Sequence, residues 1–516
     1  MSNSEFDKAA EGLSQGVVYA LKPTSKRMVL DRKTVKRDPN GKSDFKNGET
    51  AQFTLDGDEF LDPHTVYLRG KLKAWRADGV TALGAAVLPR LYGGAIKTVQ
   101  QMKLTSRDGK EIEKIESMNV LSDILNNCCL SDDYLKANGQ AELLDGSRID
   151  SAAAFKHTAL AAGEHYLVRS NNVLTAGTGT FITAVAEQVT FGNRVAAAVA
   201  NLVGSGPAVA AAAAPGENAV AAVNRGACYA DKLFPPKYET KEATDWIKDG
   251  KDFIIPLFKY LGFFKQGKYI PMKYLGAMKL DIQFVSDALL ALKCAADPTD
   301  ISFKISELSL VYDSVRINDI LQSSIEKEIM SDPSGMPLDF RTYYHVTKDS
   351  TADSNITLTF DKGATDCLSA YTVIRPAAVA FDTEALEFKN YANVANTNAG
   401  RPAEWQYRIG SATFPVDKVI TYPQARAELD KAMGHFGDGS RVNLSMSEFS
   451  QSKYVMAIDL ENDPSSNYTG RSTNSGSQLN LQISGLETAT AKTFDGFLYH
   501  TKVIRIKPNY NIDLYE

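Results

Sequence analysis

The stretch that comes nearest to a nucleotide-binding motif lies at positions 262–269, where the sequence is GFFKQGKY. A phosphate-binding loop of the type GxxxxGK[ST] needs small residues, so that backbone N–H groups can surround the phosphates, and a Ser or Thr hydroxyl that binds magnesium. Here Phe263 and Phe264 fill the loop, and Tyr269 replaces the hydroxyl residue. We therefore predict that the match is coincidental. An ATPase that uses Lys268 stays as an alternative, which nucleotide binding and its loss in Lys268→Ala would test.

Other residue types that could do chemistry are not spaced for it. The six histidines contain no HxxxH or HExxH pair, and the five cysteines have no CxxC spacing. Carboxylates two residues apart on a strand share a face, as Asp459 and Glu461 would, and a hydrolase could use such a pair. A solvent-facing edge or turn explains the same spacing. Nothing assembles a nucleophile, a base and an oxyanion donor, so we predict no catalytic, metal or cofactor site.

The composition is that of a large globular protein rich in strand-forming residues. The chain has 516 residues, 44% of them hydrophobic, with 22 Tyr and 23 Phe and a net charge of −5. This length exceeds one ordinary core and fits two large β-domains, while the net charge gives no global basic field for nucleic acid. Scattered cysteines indicate free thiols in a reducing compartment. The N-terminus shows no basic and apolar leader pattern, so we expect synthesis in the cytosol without a signal peptide.

Residues 301–346 predict a boundary between two β-domains. Apolar residues alternate from Ile301 and then change phase, which indicates a strand with a bulge near Ser306 and Glu307. A helical repeat follows, with Asp319 available to cap it, and residues 332–335 have turn chemistry. A second alternating run covers 338–346.

The same order of elements occurs on both sides of this boundary. Residues 95–104 predict a strand, 107–110 a hairpin turn and 113–128 an amphipathic helix. In the second half, 406–416 predict a strand with a short extended continuation, and 422–436 a helix with Pro423 in its first turn and Gly437 at its end. We interpret this order as an internal duplication of architecture without a repeat of residues.

Two further stretches are unusual. Residues 22–46 contain nine basic and three acidic residues, a pattern typical of a solvated hairpin face or of an arm that touches nucleic acid or an acidic neighbour. Residues 195–223 are rich in alanine and carry one charge, Glu217. Glycine and proline interrupt this stretch and alanine inserts poorly into bilayers, so we predict a long loop packed against another subunit rather than a transmembrane segment.

Seven segments together resemble the double jelly-roll major capsid proteins of adenoviruses, tailless icosahedral phages, virophages and polinton-like viruses. The likeness is strongest in the second half, where it begins with WQYRIGSATFP at 405–415. It includes the helix at 422–436, YVMAIDLE at 454–461, GRSTNSG at 470–476, LNLQI at 479–483 and, in the first half, LDPHTVYL at 61–68 and IIPLF at 254–258.

The resemblance implies an all-β chain of two consecutive eight-stranded antiparallel jelly rolls with short helices and long loop insertions. The expected divisions are an N-terminal arm and first hairpin at 1–48, a first jelly roll at 49–317, a connector helix and turn at 318–335, and a second jelly roll at 336–516. The resemblance further implies a structural, non-enzymatic protein of the virion, with strands roughly perpendicular to the capsid surface. Three copies would form a pseudo-hexagonal homotrimer in an icosahedral shell around double-stranded DNA.

The implied partners are the chain itself, neighbouring capsomers, penton and minor capsid proteins, with no cofactor and no small-molecule substrate. For the trimer contact we select apolar residues of the alanine-rich loop, since such a surface is poorly suited to water alone. They are Val195, Val199, Leu202, Val203, Val209, Val220 and Val223. A basic arm would face the interior, where packaged DNA or an internal membrane lies, or would lace neighbouring capsomers. Its residues are Lys26, Arg27, Arg32, Lys33, Lys36 and Arg37.

A carbohydrate-binding or carbohydrate-active β-sandwich is the alternative. It would use Trp75, Trp246 and Trp405 as exposed aromatic platforms for sugar rings. Three tryptophans are few for such a surface, and the expected absence of a signal peptide argues against it. Glycan binding by a monomer would favour this alternative.

Overall fold

The structure is a computed structural model of the whole chain, and its description covers most of both predicted domains. The described residues are 29–76, 90–91, 93–130, 134, 138–139, 141–144, 165–170, 173–178, 250–293, 300–331, 335–378, 388–434, 444, 446–462, 469–474, 478–507 and 511–515. For 165–170 and 173–178 the description is of the backbone alone, as two antiparallel strands, His165–Ser170 and Val173–Thr178.

Eight principal strands form the first half of the chain. They are β1 (Val29–Arg37), β2 (Thr50–Leu55), β3 (Phe60–Arg76), β4 (Val99–Thr105), β5 (Glu111–Ile115), β6 (Lys251–Pro256), β7 (Met278–Phe284) and β8 (Ile301–Ile317). They make two antiparallel sheets, with strand orders β1-β8-β3-β6 and β2-β7-β4-β5. The sequence of β7, MKLDIQF, alternates buried and more exposed side chains, so the apolar face of this sheet lies in the core.

Eight principal strands also form the second half. They are β9 (Met336–Ser350), β10 (Asn355–Phe360), β11 (Cys367–Pro376), β12 (Glu404–Ile409), β13 (Ala412–Val419), β14 (Met456–Asp459), β15 (Leu479–Ser484) and β16 (Lys492–Ile506). Their sheets have the orders β9-β16-β11-β14 and β10-β15-β12-β13. Adding eight to each strand number of the first half gives the second half. Two four-stranded antiparallel sheets connected in this way form a jelly roll, so the predicted fold class and duplication are confirmed.

Short elements complete the architecture. Further strands cover Phe45–Lys46, Arg90–Leu91, Ile270–Pro271, Leu292–Lys293 and Ile512–Tyr515. The α-helices of the described residues are α1 (Met118–Cys129), α2 (Met272–Leu275), α3 (Asp319–Ser331), α4 (Val394–Asn398), α5 (Tyr422–Ala432) and α6 (Met446–Gln451). The helices α1 and α5 each follow the hairpin that ends one four-stranded sheet, in the predicted order of elements. The predicted helix at 113–128 began too early, because residues 113–115 belong to strand β5 and α1 begins at Met118.

The boundary between the halves has the predicted form. The pairing of β8 with β3 shifts register between Ser306 and Ser309, and Glu307 has a φ of 53°, so the predicted bulge is confirmed. The connector is helix α3, which begins at the predicted Asp319. Lys273 and Tyr274 of α2 both bind the carboxylate of Glu326, at 2.8 and 3.1 Å, and thereby fix α3 to the first jelly roll.

Several local predictions change. Residues 95–98 form a 3₁₀ helix, Ala95–Thr98, and the strand begins only at Val99. Residues 406–416 are a hairpin of two strands that turns at Gly410, whose φ is 58°. Helix α5 ends at Ala432, and Gly434, with a φ of 67°, takes the left-handed position that we assigned to Gly437.

The first predicted division also changes. Residues 1–48 were placed before the first jelly roll, whereas β1 pairs with β8 from Val29 to Arg37 as a strand of that jelly roll. The sequence did not predict that β1 belongs to the jelly roll, because its side chains are mostly exposed, many are basic, and they show no apolar alternation.

Candidate functional site

The predicted basic arm is a sheet edge wherever the structure describes it. Lys26 and Arg27 lie outside the described residues, while the other four predicted residues lie on β1. These four are Arg32, Lys33, Lys36 and Arg37. An edge strand leaves one side of its backbone without a neighbouring strand, and charged side chains are a common protection against unwanted pairing there. The interior-facing role of the segment stays a prediction.

Acidic neighbours pair with all four of these basic side chains. The Arg32 guanidinium lies 2.8 Å from the Asp62 carboxylate and 2.7 Å from that of Asp313. Burial raises the pKa of Asp313, but hydrogen bonds from Arg32 and Thr34 outweigh it, so this pKa lies below its ordinary value. Arg37 pairs with Asp56.

The two lysines have acidic partners near them along the chain. Lys33 pairs with Asp31 at 3.4 Å, and Lys36 pairs with Asp38 at 3.0 Å. All four side chains are exposed enough for water to screen these contacts. Much of the local positive surplus is therefore balanced within the first jelly roll.

The residues predicted for the trimer contact belong to the alanine-rich loop at 195–223. All seven lie outside the described residues: Val195, Val199, Leu202, Val203, Val209, Val220 and Val223. Their segment belongs to the long connection between β5 and β6 and follows helix α1 in the sequence. Their role stays a prediction.

The best-defined polar site is a buried carboxylate between the two jelly rolls. Glu113 of β5 is fully buried. Its Oε1 accepts hydrogen bonds from the Gly262 N–H at 2.8 Å and from the Thr342 hydroxyl of β9 at 2.7 Å. Its Oε2 accepts from the Phe263 N–H at 3.0 Å. Burial raises the pKa of Glu113, because the three hydrogen bonds only partly offset the loss of water around the carboxylate.

This contact, which we call the seam, also explains the stretch that looks like a phosphate-binding loop. Residues Gly262–Lys265 form a 3₁₀ helix whose first two N–H groups are bound to Glu113. A Cβ added at Gly262 would lie 1.6 Å from the Arg341 carbonyl oxygen, so glycine is required by the close approach of β9. Phe263 packs edge-on against Phe340, with ring centroids 5.6 Å apart. These groups bind another part of the chain and are not free for phosphate.

Further polar contacts cross the seam. Lys110 lies 3.3 Å from the Asp513 carboxylate, and Lys502 donates to the Glu111 carbonyl oxygen at 3.3 Å. Lys110 and Glu111 lie in the first jelly roll, and their partners Asp513 and Lys502 lie in the second half of the chain. These polar contacts at Lys110 and Glu111 therefore add to the Glu113 hydrogen bonds and to the packing of Phe263 on Phe340, and hold the two jelly rolls in a defined arrangement.

A second buried carboxylate lies inside the second jelly roll, near the seam. Asp495 of β16 is fully buried and accepts from Arg375 Nε at 2.6 Å, and its Oδ1 lies 2.9 Å from His345 Nε2. Burial raises the pKa of Asp495, but the hydrogen bond with His345 and the Arg375 charge outweigh it, so this pKa is lowered. His345 Nδ1 lies 3.9 Å from the Glu116 carboxylate of the first half.

The aromatic platform of the carbohydrate alternative is not present as predicted. Trp405 is completely buried, and its indole N–H donates to the Tyr454 hydroxyl at 2.9 Å, so the expectation of an exposed ring there was wrong. Trp75 is half-buried with Lys73 Nζ 4.1 Å from its ring centroid, and Trp246 lies outside the described residues. Trp405 is a core residue of the second jelly roll.

The remaining candidate groups have structural explanations. Asp459 Oδ1 accepts from the Glu461 N–H at 2.9 Å, which is a turn contact at the end of β14. Among the described residues, no group of three or more His, Cys, Asp or Glu side chains is arranged to hold a metal ion. Cys367 is a free thiol, Cys128 is buried, Cys129 is exposed, and Cys228 and Cys294 lie outside the described residues. No helix within the described ranges is long and apolar enough to cross a membrane.

Comparison with known proteins gives structural matches only. Neither the protein-family models nor the curated proteins include a match to the sequence. The Faustovirus major capsid protein superimposes with a TM-score of 0.55 at 10% identity, over 97% of this chain and 96% of that chain. A Sputnik virophage chain gives 0.49 at 10% identity over 97% and 91%, and the mavirus major capsid protein 0.45 at 9% over 97% and 92%. With its own strand order, the first of these similarities establishes that the chain is a double jelly-roll protein, with the fold of a viral major capsid protein.

Proposed function

We propose that the chain is the major capsid protein of an icosahedral double-stranded DNA virus, and that three copies form a pseudo-hexagonal capsomer. The observation that carries the proposal is the whole-length match to the Faustovirus major capsid protein, which covers nearly all of both chains. A match that covers this share of both chains includes both jelly rolls and not one common domain. The proposed protein is structural and non-enzymatic, and its place is the virion.

The geometry supports a structural role, in which the protein contributes a defined arrangement of its two jelly rolls. The Glu113 site joins the jelly rolls through hydrogen bonds to a buried carboxylate, which needs a close and specific arrangement of the two partners. The P-loop-like N–H groups and Trp405 serve the interior of the protein. These observations remove the main support of the nucleotide and carbohydrate alternatives and favour neither.

Its partners are then other capsomers, the penton and the minor capsid proteins. The basic segment at 22–46 is the proposed contact with packaged DNA or an internal membrane, through its part before β1, since the residues on β1 are paired with acids. The alanine-rich loop at 195–223 is a proposed trimer contact. Deletion of 195–223 should weaken the trimer, and deletion of the residues before Val29 should impair assembly or packaging. An unchanged trimer, or unchanged assembly and packaging, would remove the corresponding role.

The proposal is tested on the purified full-length chain. Light scattering coupled to gel filtration should give three times the 56.2 kDa of one chain, and negative-stain images should show particles with a hexagonal outline. Such an obligate interface is expected to bury about 2,000–5,000 Å², so the trimer should persist on dilution to low micromolar concentration. A monomer of 56.2 kDa that binds glycans would refute the proposal and support the carbohydrate alternative.

A further inference from the structure

One histidine of the second jelly roll lies between two carboxylates, one from each half of the chain. His345 of β9 has a side chain that is only 5% exposed. Its Nε2 lies 2.9 Å from Asp495 Oδ1 within its own jelly roll, and its Nδ1 lies 3.9 Å from Glu116 Oε2. Glu116 stands between the end of β5 and the start of α1, in the first half. The two nitrogens of one ring therefore face acids from both halves of the chain.

Each of the two carboxylates has a cation of its own on its other oxygen. Arg375 Nε donates to Asp495 Oδ2 at 2.6 Å, and Lys114 pairs with Glu116 Oε1. The hydrogen bond with Glu116 raises the pKa of Lys114, so this lysine is charged at neutral pH. Burial raises the pKa of Asp495, but His345 and Arg375 together lower it further, so Asp495 stays ionised in mild acid. On each side, one carboxylate oxygen is left to the histidine.

The contact with Asp495 determines which ring nitrogen carries the proton. An ionised carboxylate only accepts hydrogen bonds, so Nε2 of His345 donates in both the neutral and the charged ring. Nδ1 of the neutral ring is then an acceptor, and it faces an oxygen of Glu116 that is also an acceptor. When the ring gains its second proton, Nδ1 becomes a donor and the ring becomes a cation between two anions. Protonation therefore makes the contact across the seam favourable.

We propose that His345 is a pH-responsive link between the two jelly rolls, which strengthens the seam when its ring is protonated. Histidine is the side chain whose charge ordinarily changes between about pH 5 and 8. The added stability belongs to the protonated ring, so it is present at the acid end of this range and is lost as the pH rises through it. The link lies within one chain and does not rest on the proposed function.

The first test measures the effect of one carboxylate at two pH values. Urea is the suitable denaturant, because it is uncharged and does not screen ion pairs as guanidinium does. Denaturation of the full chain at a fixed protein concentration, followed by circular dichroism, gives the equilibrium constant of unfolding. Glu116→Gln should raise this constant about two- to fivefold more at about pH 5.5 than at about pH 8.5, as expected for the loss of a partly exposed ion pair.

The matched control is Glu111→Gln. Glu111 lies on β5, its side chain is 43% exposed against 44% for Glu116, and it pairs with Lys103 as Glu116 pairs with Lys114. Loss of either lysine contact has the same effect at both pH values, because lysine keeps its charge throughout this range. The effect of Glu111→Gln should therefore be independent of pH. An effect of Glu116→Gln that is equally independent of pH would overturn the proposal.

The second test removes the histidine. In a His345→Gln background, whose amide can still donate to Asp495, Glu116→Gln should have the same effect at both pH values. This comparison is needed because Glu113 also titrates at the seam and would alter a pH profile of the wild type alone. A pH-dependent effect that persists without His345 would overturn the proposal. If His345→Gln does not fold, the comparison of Glu116→Gln with Glu111→Gln still decides. These outcomes do not depend on whether the wild type is a trimer, so failure of the proposed function is distinguished from failure of this inference.

Discussion

Replacing Glu113 by alanine should be among the most damaging single changes at the seam. The change leaves three donors without an acceptor: the N–H groups of Gly262 and Phe263 and the hydroxyl of Thr342. A buried donor that loses its partner costs about 1–3 kcal/mol, which gives about 3–9 kcal/mol for three. Two effects reduce this sum. The variant no longer pays the cost of burying a carboxylate, a cost that also raises the pKa of Glu113, and water can enter the space that the side chain leaves. We expect the free energy of unfolding to fall by about 3–5 kcal/mol.

The measurement is guanidinium denaturation of the purified chain at neutral pH, followed by circular dichroism and extrapolated to water. Glu111→Ala is the matched control, because it lies on the same strand with a 43% exposed side chain in a surface pair with Lys103. That pair is worth less than about 1 kcal/mol. Thr342→Val removes one donor and should cost about 1–2 kcal/mol. If Glu113→Ala falls within about 1 kcal/mol of Glu111→Ala, the seam does not depend on this carboxylate as argued.

The same residue predicts a dependence on pH. The pKa of Glu113 is raised in the folded chain above its ordinary value of 4.5. Its protonated form therefore contributes stability that is fully present below pH 4.5 and is lost as the pH rises through the folded pKa. Glu113→Gln should lack this contribution, so the difference between wild type and variant should change across that window. A difference that stays constant from pH 4 to pH 8 would contradict the assignment.

Two further predictions concern close packing and the second buried carboxylate. Gly262→Ala should prevent normal folding, because its Cβ would lie 1.6 Å from the Arg341 carbonyl oxygen. Gly267→Ala is the control and should melt like the wild type, because nothing lies within 4 Å of the added Cβ. Equal melting of the two variants would refute the close approach of β9 to Gly262. Asp495→Asn should lower the free energy of unfolding at pH 7 by about 3–5 kcal/mol, because it leaves Arg375 without its buried partner. The pKa of Asp495 is lowered below 3.8, so its contribution is present above that pH and lost on acidification through the folded pKa; acid unfolding that is the same in both proteins would contradict this.

The fold was predictable where burial on one face produces a regular pattern. The alternation in β7, the phase change at Ser306 and the helical repeat after Asp319 each report contacts close in sequence, and each is confirmed. The strand β1 was missed as part of the jelly roll because an exposed edge strand needs no apolar face.

The seam was not predictable, because its donors come from positions far apart in the chain. Glu113 meets groups 149 and 229 residues away, and no spacing within one strand signals that encounter. The burial of Trp405 did have a signal. Trp405 and Tyr407 are two residues apart on one strand, which places both rings on the same, apolar face. A pair of aromatics at this spacing indicates core rather than a sugar platform.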